Sequence, residues 1–180
     1  MPSLHVDLRE QAVHLLNRDR GKPKQVNLRR AVSAAYYALF HRLTHDASRL
    51  LISGRGRTNL RGAVRRSFTH TEMAKAARGI GRLNPAQPWM ALLGGRHADV
   101  SSSAQAPSVS DDLLKVARTF IDLQEKRHTA DYDTTAILYR EEVRESIYHV
   151  QQAFAALDTM DKDEKAVFLT ALLLYGRAKG

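Results

Sequence analysis

Apolar residues recur at helical spacing along most of this chain, and this periodicity limits the fold more than any other feature. Within residues 24–52, Val32, Tyr36, Leu39 and Leu43 follow one another at intervals of four, three and four. Such intervals place the four side chains on one face of a helix. The sequence has no convincing run of alternating β-branched and aromatic residues, which would indicate strands. It therefore predicts an all-α fold.

The breaks in this periodicity divide the chain into about five to seven helices. At this length, one domain spanning residues 1–180 is the expected organisation. Proline, glycine and serine concentrate between residues 81 and 110, which predicts one long irregular loop.

Residues with short polar side chains mark where several of these helices are expected to begin. Such side chains accept a hydrogen bond from a free amide of the first turn. Ser110 is expected to cap the helix after the long loop, and Asn59 a short helix that ends near residue 67. Asp133 or Thr134 is expected to cap the helix that reaches about residue 160.

Positive charge is concentrated in one fifth of the chain. The net charge is +9, and residues 49–82 hold nine basic residues and a single acid, which is a local charge of +8. Guanidinium groups match phosphate oxygens, so this stretch predicts contact with RNA or another polyanion. A solvated basic face, or a loop that docks on an acidic partner, remains the alternative. The candidate RNA-binding residues are Arg55, Arg57, Arg61, Arg65 and Arg66.

A cluster of polar and aromatic side chains lies between residues 126 and 133. Residues four apart share one face of a helix, so Arg127 is expected to meet Asp131, and His128 to meet Tyr132. The cluster could hold or cleave a phosphodiester, because an arginine can bind phosphate while a histidine moves a proton near neutral pH. An ordinary helix end, in which Asp131 simply pairs with Arg127, is the alternative.

A second candidate cluster lies on the long helix at residues 24–52. Arg30, Tyr37 and His41 follow spacings of seven and four, roughly opposite the apolar seam. They could equally be hydrogen-bonded inside a helical bundle. In the catalytic hypothesis, Arg127 and Arg30 neutralise phosphate, and an RNA 2′-hydroxyl is the nucleophile. The proton-transfer residue would be His128 or His41, and the orienting residues would be Asp131 and Tyr132.

Several other classes of chemistry have no support in the sequence. The chain has no cysteine, so disulfides and thiolate sites are excluded. It lacks a phosphate-binding glycine loop, a dinucleotide-binding glycine motif and a His-Glu-x-x-His zinc motif, and no cofactor or metal is predicted. The longest apolar run, residues 166–175, is half of the roughly 20 residues that span a bilayer. The expectation is a soluble, cytoplasmic protein without membrane contact.

Two segments carry a family resemblance. Residues 29–41, Arg-Arg-Ala-Val-Ser-Ala-Ala-Tyr-Tyr-Ala-Leu-Phe-His, resemble the characteristic helix of prokaryotic HEPN-domain proteins, and residues 117–133 resemble a later helix end of the same family. The resemblance implies an up-and-down helical bundle that commonly forms a homodimer. Many HEPN proteins are metal-independent endoribonucleases of toxin or phage-defence systems. Others are non-catalytic modules that bind nucleotides or a protein partner, such as a nucleotidyltransferase-type antitoxin.

The resemblance leaves both of these functions open. The catalytic branch of the family carries an Arg-x4–6-His motif near the start of a late helix. In this sequence Arg127 and His128 are adjacent, and the Arg-x4-His spacing of Arg144 and His149 lies inside the next predicted helix, later than the family position. We therefore expect an RNA- or nucleotide-binding protein that either cleaves RNA or serves as an accessory subunit in a defence or nucleotidyltransferase complex.

Overall fold

The all-α prediction is confirmed by a computed structural model that describes residues 3–82 and 109–175. These residues form seven helices and no strand. Most of the predicted loop, residues 83–108, lies outside the described residues. The helices are α1 (Leu4–Asn17), α2 (Gln25–Leu51), α3 (Thr58–Arg66), α4 (His70–Gly81), α5 (Asp111–Tyr132), α6 (Arg140–Thr159) and α7 (Lys162–Leu174).

The described residues group into two compact units. The first unit contains residues up to Leu43 together with 119–155. Its core is built on the apolar seam of α2, where Tyr36 is fully buried and its ring lies 5.6 Å from the ring of Phe120 on α5. From α6, Val143, Ile147, Val150 and Phe154 are also buried in this unit.

The second unit contains the described residues of 44–118 and those from 156 onward. In it α4 packs against α7, and Met73, Ile80 and Phe168 are fully buried. A buried carboxylate, Glu164, accepts hydrogen bonds from the backbone amide and the hydroxyl of Ser110, at 2.9 and 2.6 Å. This pairing ties α7 to the start of α5.

The predicted helix caps have different outcomes. Ser110 caps α5 as expected, since its hydroxyl accepts from the amide of Leu113 at 3.1 Å. The prediction for Asn59 is wrong because α3 already begins at Thr58, so Asn59 is inside the helix. The prediction that Asp133 or Thr134 caps the next helix is also wrong, because a turn and an irregular stretch separate α5 from α6, which begins at residue 140.

No helix in residues 3–82 and 109–175 is long and apolar enough to cross a membrane.

Candidate functional site

Arg127, in the last turns of α5, is paired with Asp131 as the four-residue spacing predicted. The guanidinium Nε lies 2.7 Å from Asp131 Oδ2, and both side chains are mostly buried. The second carboxylate oxygen accepts a hydrogen bond from the Ser33 hydroxyl of α2 at 2.6 Å. The Nε–H of Arg127 does not point at an acceptor among the described residues, so the pair is held by charge and not by an aligned hydrogen bond. Both oxygens of Asp131 are therefore already engaged.

The Arg127 guanidinium also contacts two tyrosines. Its Nη2 donates to the Tyr37 hydroxyl at 3.1 Å, and its Cζ lies 5.6 Å from the centre of the Tyr37 ring and 5.4 Å from that of Tyr132. Burial lowers the pKa of Arg127, but Tyr37, Asp131 and Tyr132 together raise it above its usual value. Arg127 is therefore a permanent cation held among aromatic rings and one carboxylate.

The structure brings the two predicted clusters together within one chain. The ring of His41 is stacked on that of Tyr37, with centroids 6.2 Å apart. The ring of His128 lies 5.0 Å from that of Tyr132, as the spacing predicted. Arg127 joins the two pairs, so the contacts run in the order His41, Tyr37, Arg127, Tyr132, His128. His128 is exposed, whereas His41 is half-buried.

Arg30 lies on α2 at the edge of an open groove of about 530 Å³ in the first unit. Its side chain is exposed, and among the described residues it has no hydrogen bond or ion pair. Tyr132 lines the same groove with 64% of its surface exposed. The groove is lined by Gln25, Val26, Arg29, Arg30, Ala130, Asp131, Tyr132 and Thr134.

Arg29, which the sequence did not distinguish from its neighbour, shapes this groove. Its Nη1 donates to the backbone carbonyls of Ala130 and Asp133 at 2.9 and 2.8 Å, and its Nη2 donates to that of Ala136 at 2.5 Å. The carbonyl of Ala130 belongs to the last turn of α5, where the helix supplies no partner. A cation is also favourable at this negative end of the helix dipole. Arg29 thus fixes the chain where it leaves α5.

The segment after α5 is held by two further contacts. The Asp133 carboxylate accepts from the Thr135 hydroxyl and amide at 2.7 and 2.9 Å, and these bonds hold the pKa of Asp133 below its usual value. The side-chain amide of Gln25 exchanges two hydrogen bonds with the backbone of Leu138, at 2.8 and 2.9 Å. Side-chain hydrogen bonds therefore fix the backbone that follows Tyr132.

The predicted RNA-binding arginines lie in the second unit, in and around α3, and one of them differs from the rest. Arg61 is half-buried and donates to the carbonyls of Ile52 and Gly54 at 3.0 and 2.5 Å, so it closes the preceding loop. That loop turns at Gly54 and Gly56, whose φ values of 86° and 74° suit glycine. The other four arginines are exposed and have no hydrogen bond or ion pair among the described residues: Arg55, Arg57, Arg65 and Arg66.

We use the name "basic surface" for Arg55, Arg57, Arg65 and Arg66. No residue of α3 is buried, and six of its nine residues are exposed, whereas Arg61, Gly62 and Val64 are partly covered. Like charges this close in sequence repel one another when no acid lies among them, and a polyanion would relieve that repulsion. The basic surface thus has the chemistry of an anion-binding site.

Comparison of the chain with protein-family models, with curated proteins and with solved structures finds no match.

Proposed function

We propose that this protein binds RNA and that its basic surface provides the main electrostatic contact. The observation that carries the proposal is the set of four exposed arginines, unpaired among the described residues, between positions 55 and 66. Arginine presents a planar fork of donors that matches phosphate oxygens in pairs. The resemblance of residues 29–41 to HEPN helices supports RNA as the polyanion, and we accordingly propose a cytoplasmic location.

The salt dependence of RNA affinity tests this proposal. Replacing Arg55, Arg57, Arg65 and Arg66 together by alanine should reduce the slope of log affinity against log salt by roughly 3 in magnitude. Each phosphate contact on a single strand contributes about 0.7 to this slope, because its formation releases counterions. Arg61 is left in place because it holds the loop. Affinity is measured by fluorescence anisotropy with a labelled single-stranded RNA at several salt concentrations.

A second variant separates the basic surface from net charge. Arg18, Arg20, Lys22 and Lys24 also have exposed side chains, so their replacement by alanine removes the same four charges elsewhere. This control should keep most of the parent slope. An unchanged slope in the first variant, or an equal fall in both variants, would contradict the proposal.

Metal-independent cleavage of the bound RNA is a second candidate, which the position of His128 favours. This side chain is exposed beside Tyr132 and directly follows the permanent cation Arg127. In the proposed step, His128 takes the proton of a 2′-hydroxyl, whose oxygen attacks the adjacent phosphorus. The bond from phosphorus to the 5′-oxygen breaks, and that oxygen leaves with a proton from a second acid, either His41 or water.

Incubation of RNA with the purified protein in the presence of a chelator tests cleavage. Products ending in a 2′,3′-cyclic phosphate are expected, and His128→Ala should slow their formation by roughly 100-fold or more. His14→Ala is the matched control, since His14 is an exposed histidine of α1 outside the cluster. Absence of cleavage between pH 5 and 9 by protein that still binds RNA would leave a non-catalytic binding module, with a protein partner, as the function. The homodimer implied by the HEPN resemblance is checked by light scattering on the same sample.

A further inference from the structure

The groove in the first unit offers two recognition groups of different chemistry. Arg30 contributes an exposed guanidinium without a partner among the described residues, and Tyr132 contributes an aromatic ring that is 64% exposed. Val26, which also lines the groove, is 60% exposed and adds apolar surface. The volume of about 530 Å³ falls within the range of small-molecule sites, roughly 300–1,000 Å³.

The charged and amide groups in the rest of the lining are already used by the protein, whereas the exposed Thr134 hydroxyl has no hydrogen bond among the described residues. Arg29 donates to three backbone carbonyls, and Gln25 is bound at both ends of its amide by Leu138. Asp131 is engaged by Ser33 and Arg127. Besides the Thr134 hydroxyl, the groove therefore presents one cation and one aromatic ring to a ligand. A ligand that uses both has an anionic group and a flat ring.

We infer that the groove binds one unpaired nucleotide of an RNA strand, with its phosphate against Arg30 and its base stacked on Tyr132. The inference rests on the proposed function in taking RNA as the ligand. A base inside a duplex is stacked on both sides by its neighbours, so it cannot stack on a protein ring without leaving the helix. The basic surface contacts phosphates, which both kinds of RNA carry, so it does not distinguish a single strand from a duplex. The groove is thus the part of the protein that selects single-stranded RNA.

Titration with adenosine 5′-monophosphate tests the groove without the basic surface. Tyr132→Ala should weaken binding of this nucleotide by about 10- to 100-fold, which corresponds to the loss of one base–aromatic stack. Tyr132→Phe keeps the ring and should restore most of the affinity. Tyr148→Ala removes a tyrosine of similar exposure outside the groove, and it should have no effect. Binding is measured by calorimetry at low salt, and thermal melts confirm that each variant is folded.

The phosphate contact has its own pair of variants. Arg30→Ala should weaken nucleotide binding by roughly 10-fold, in the range of one charge-assisted contact. Arg49→Ala removes another exposed arginine of α2 that does not line the groove, and it should bind like the parent. Nucleotide binding by both Arg30→Ala and Tyr132→Ala that is as strong as binding by the parent would overturn the inference.

Matched single-stranded and double-stranded RNAs separate this inference from the proposed function. The parent protein should prefer the single strand, and Tyr132→Ala should lose that preference while it still binds both RNAs. If the preference is absent, or survives in Tyr132→Ala, the groove does not select the strand even though RNA binding stands. If neither RNA is bound at low salt while the nucleotide is, the proposed function fails and the groove is a nucleotide site only.

Discussion

Replacing Arg29 by alanine is expected to lower the free energy of unfolding by about 3 kcal/mol, because three backbone carbonyls lose the same donor. The guanidinium is half-buried and donates to Ala130, Asp133 and Ala136. A hydrogen bond from a charged donor contributes about 1.5–3 kcal/mol to stability. The bond to Asp133 is exposed, so its contribution lies at or below the lower limit of this range. Water can replace that bond, but it reaches the other two carbonyls less easily.

The neighbouring residue is a matched control for this prediction. Arg30→Ala removes the same side chain from the next position of α2, where the guanidinium is exposed and without a partner among the described residues. Its effect on unfolding should stay within about 0.5 kcal/mol. Arg29→Lys should recover only part of the stability, because a single ammonium group lacks the fork that joins three acceptors. Urea denaturation followed by circular dichroism measures all three variants. Equal stability of the two alanine variants would show that the Arg29 contacts contribute little.

The helices and the local side-chain pairs were accessible from the sequence. The position of α2 follows directly from apolar spacing, since one helical face must be buried. The contacts of Arg127 with Asp131, and of His128 with Tyr132, follow from helical geometry alone. Each of these predictions depends on residues within one or two turns of each other. Local geometry therefore determined them without knowledge of the tertiary structure.

Contacts between distant residues could not be predicted in the same way. Arg127 and Tyr37 are 90 residues apart in sequence, and only the packing of α5 beside α2 brings them together. The roles of Arg29 and Arg30 show the same limit, because two adjacent arginines carry identical sequence signals. Arg29 reaches the end of α5 and bonds its backbone, whereas Arg30 lies at the edge of the groove.

Two further differences have a similar origin. The charge pattern grouped Arg61 with its neighbours, but the turn at Gly54 places two carbonyls within its reach. The cap prediction for Asp133 was wrong because its carboxylate accepts from Thr135 and from the amide of Ala136 in a local turn. A short acidic side chain can support either a helix start or a turn, and the residues that follow decide between them.

Phe120→Ala is expected to be the most destabilising single change considered, at about 4 kcal/mol. The side chain is fully buried, and its ring lies 5.6 Å from that of Tyr36. Removing the ring leaves a cavity beside Tyr36. Burial raises the pKa of Tyr36, so its phenol stays neutral well above its usual titration range. Tyr148→Ala, which truncates an exposed aromatic side chain in the same unit, should stay within about 0.5 kcal/mol.

The milder Phe120→Leu extends this prediction from stability to the site. Leucine should restore most of the lost stability, to within about 1.5 kcal/mol of the parent, while leaving the aromatic stack incomplete. Tyr36 also contacts the ring of Tyr37 at 5.3 Å, and Tyr37 accepts the hydrogen bond from Arg127. Because Tyr37 depends on this packing for its position, Phe120→Leu should broaden the NMR signals of the Arg127 side chain in a folded protein. Unchanged Arg127 signals would show that the site is positioned independently of the core beneath it.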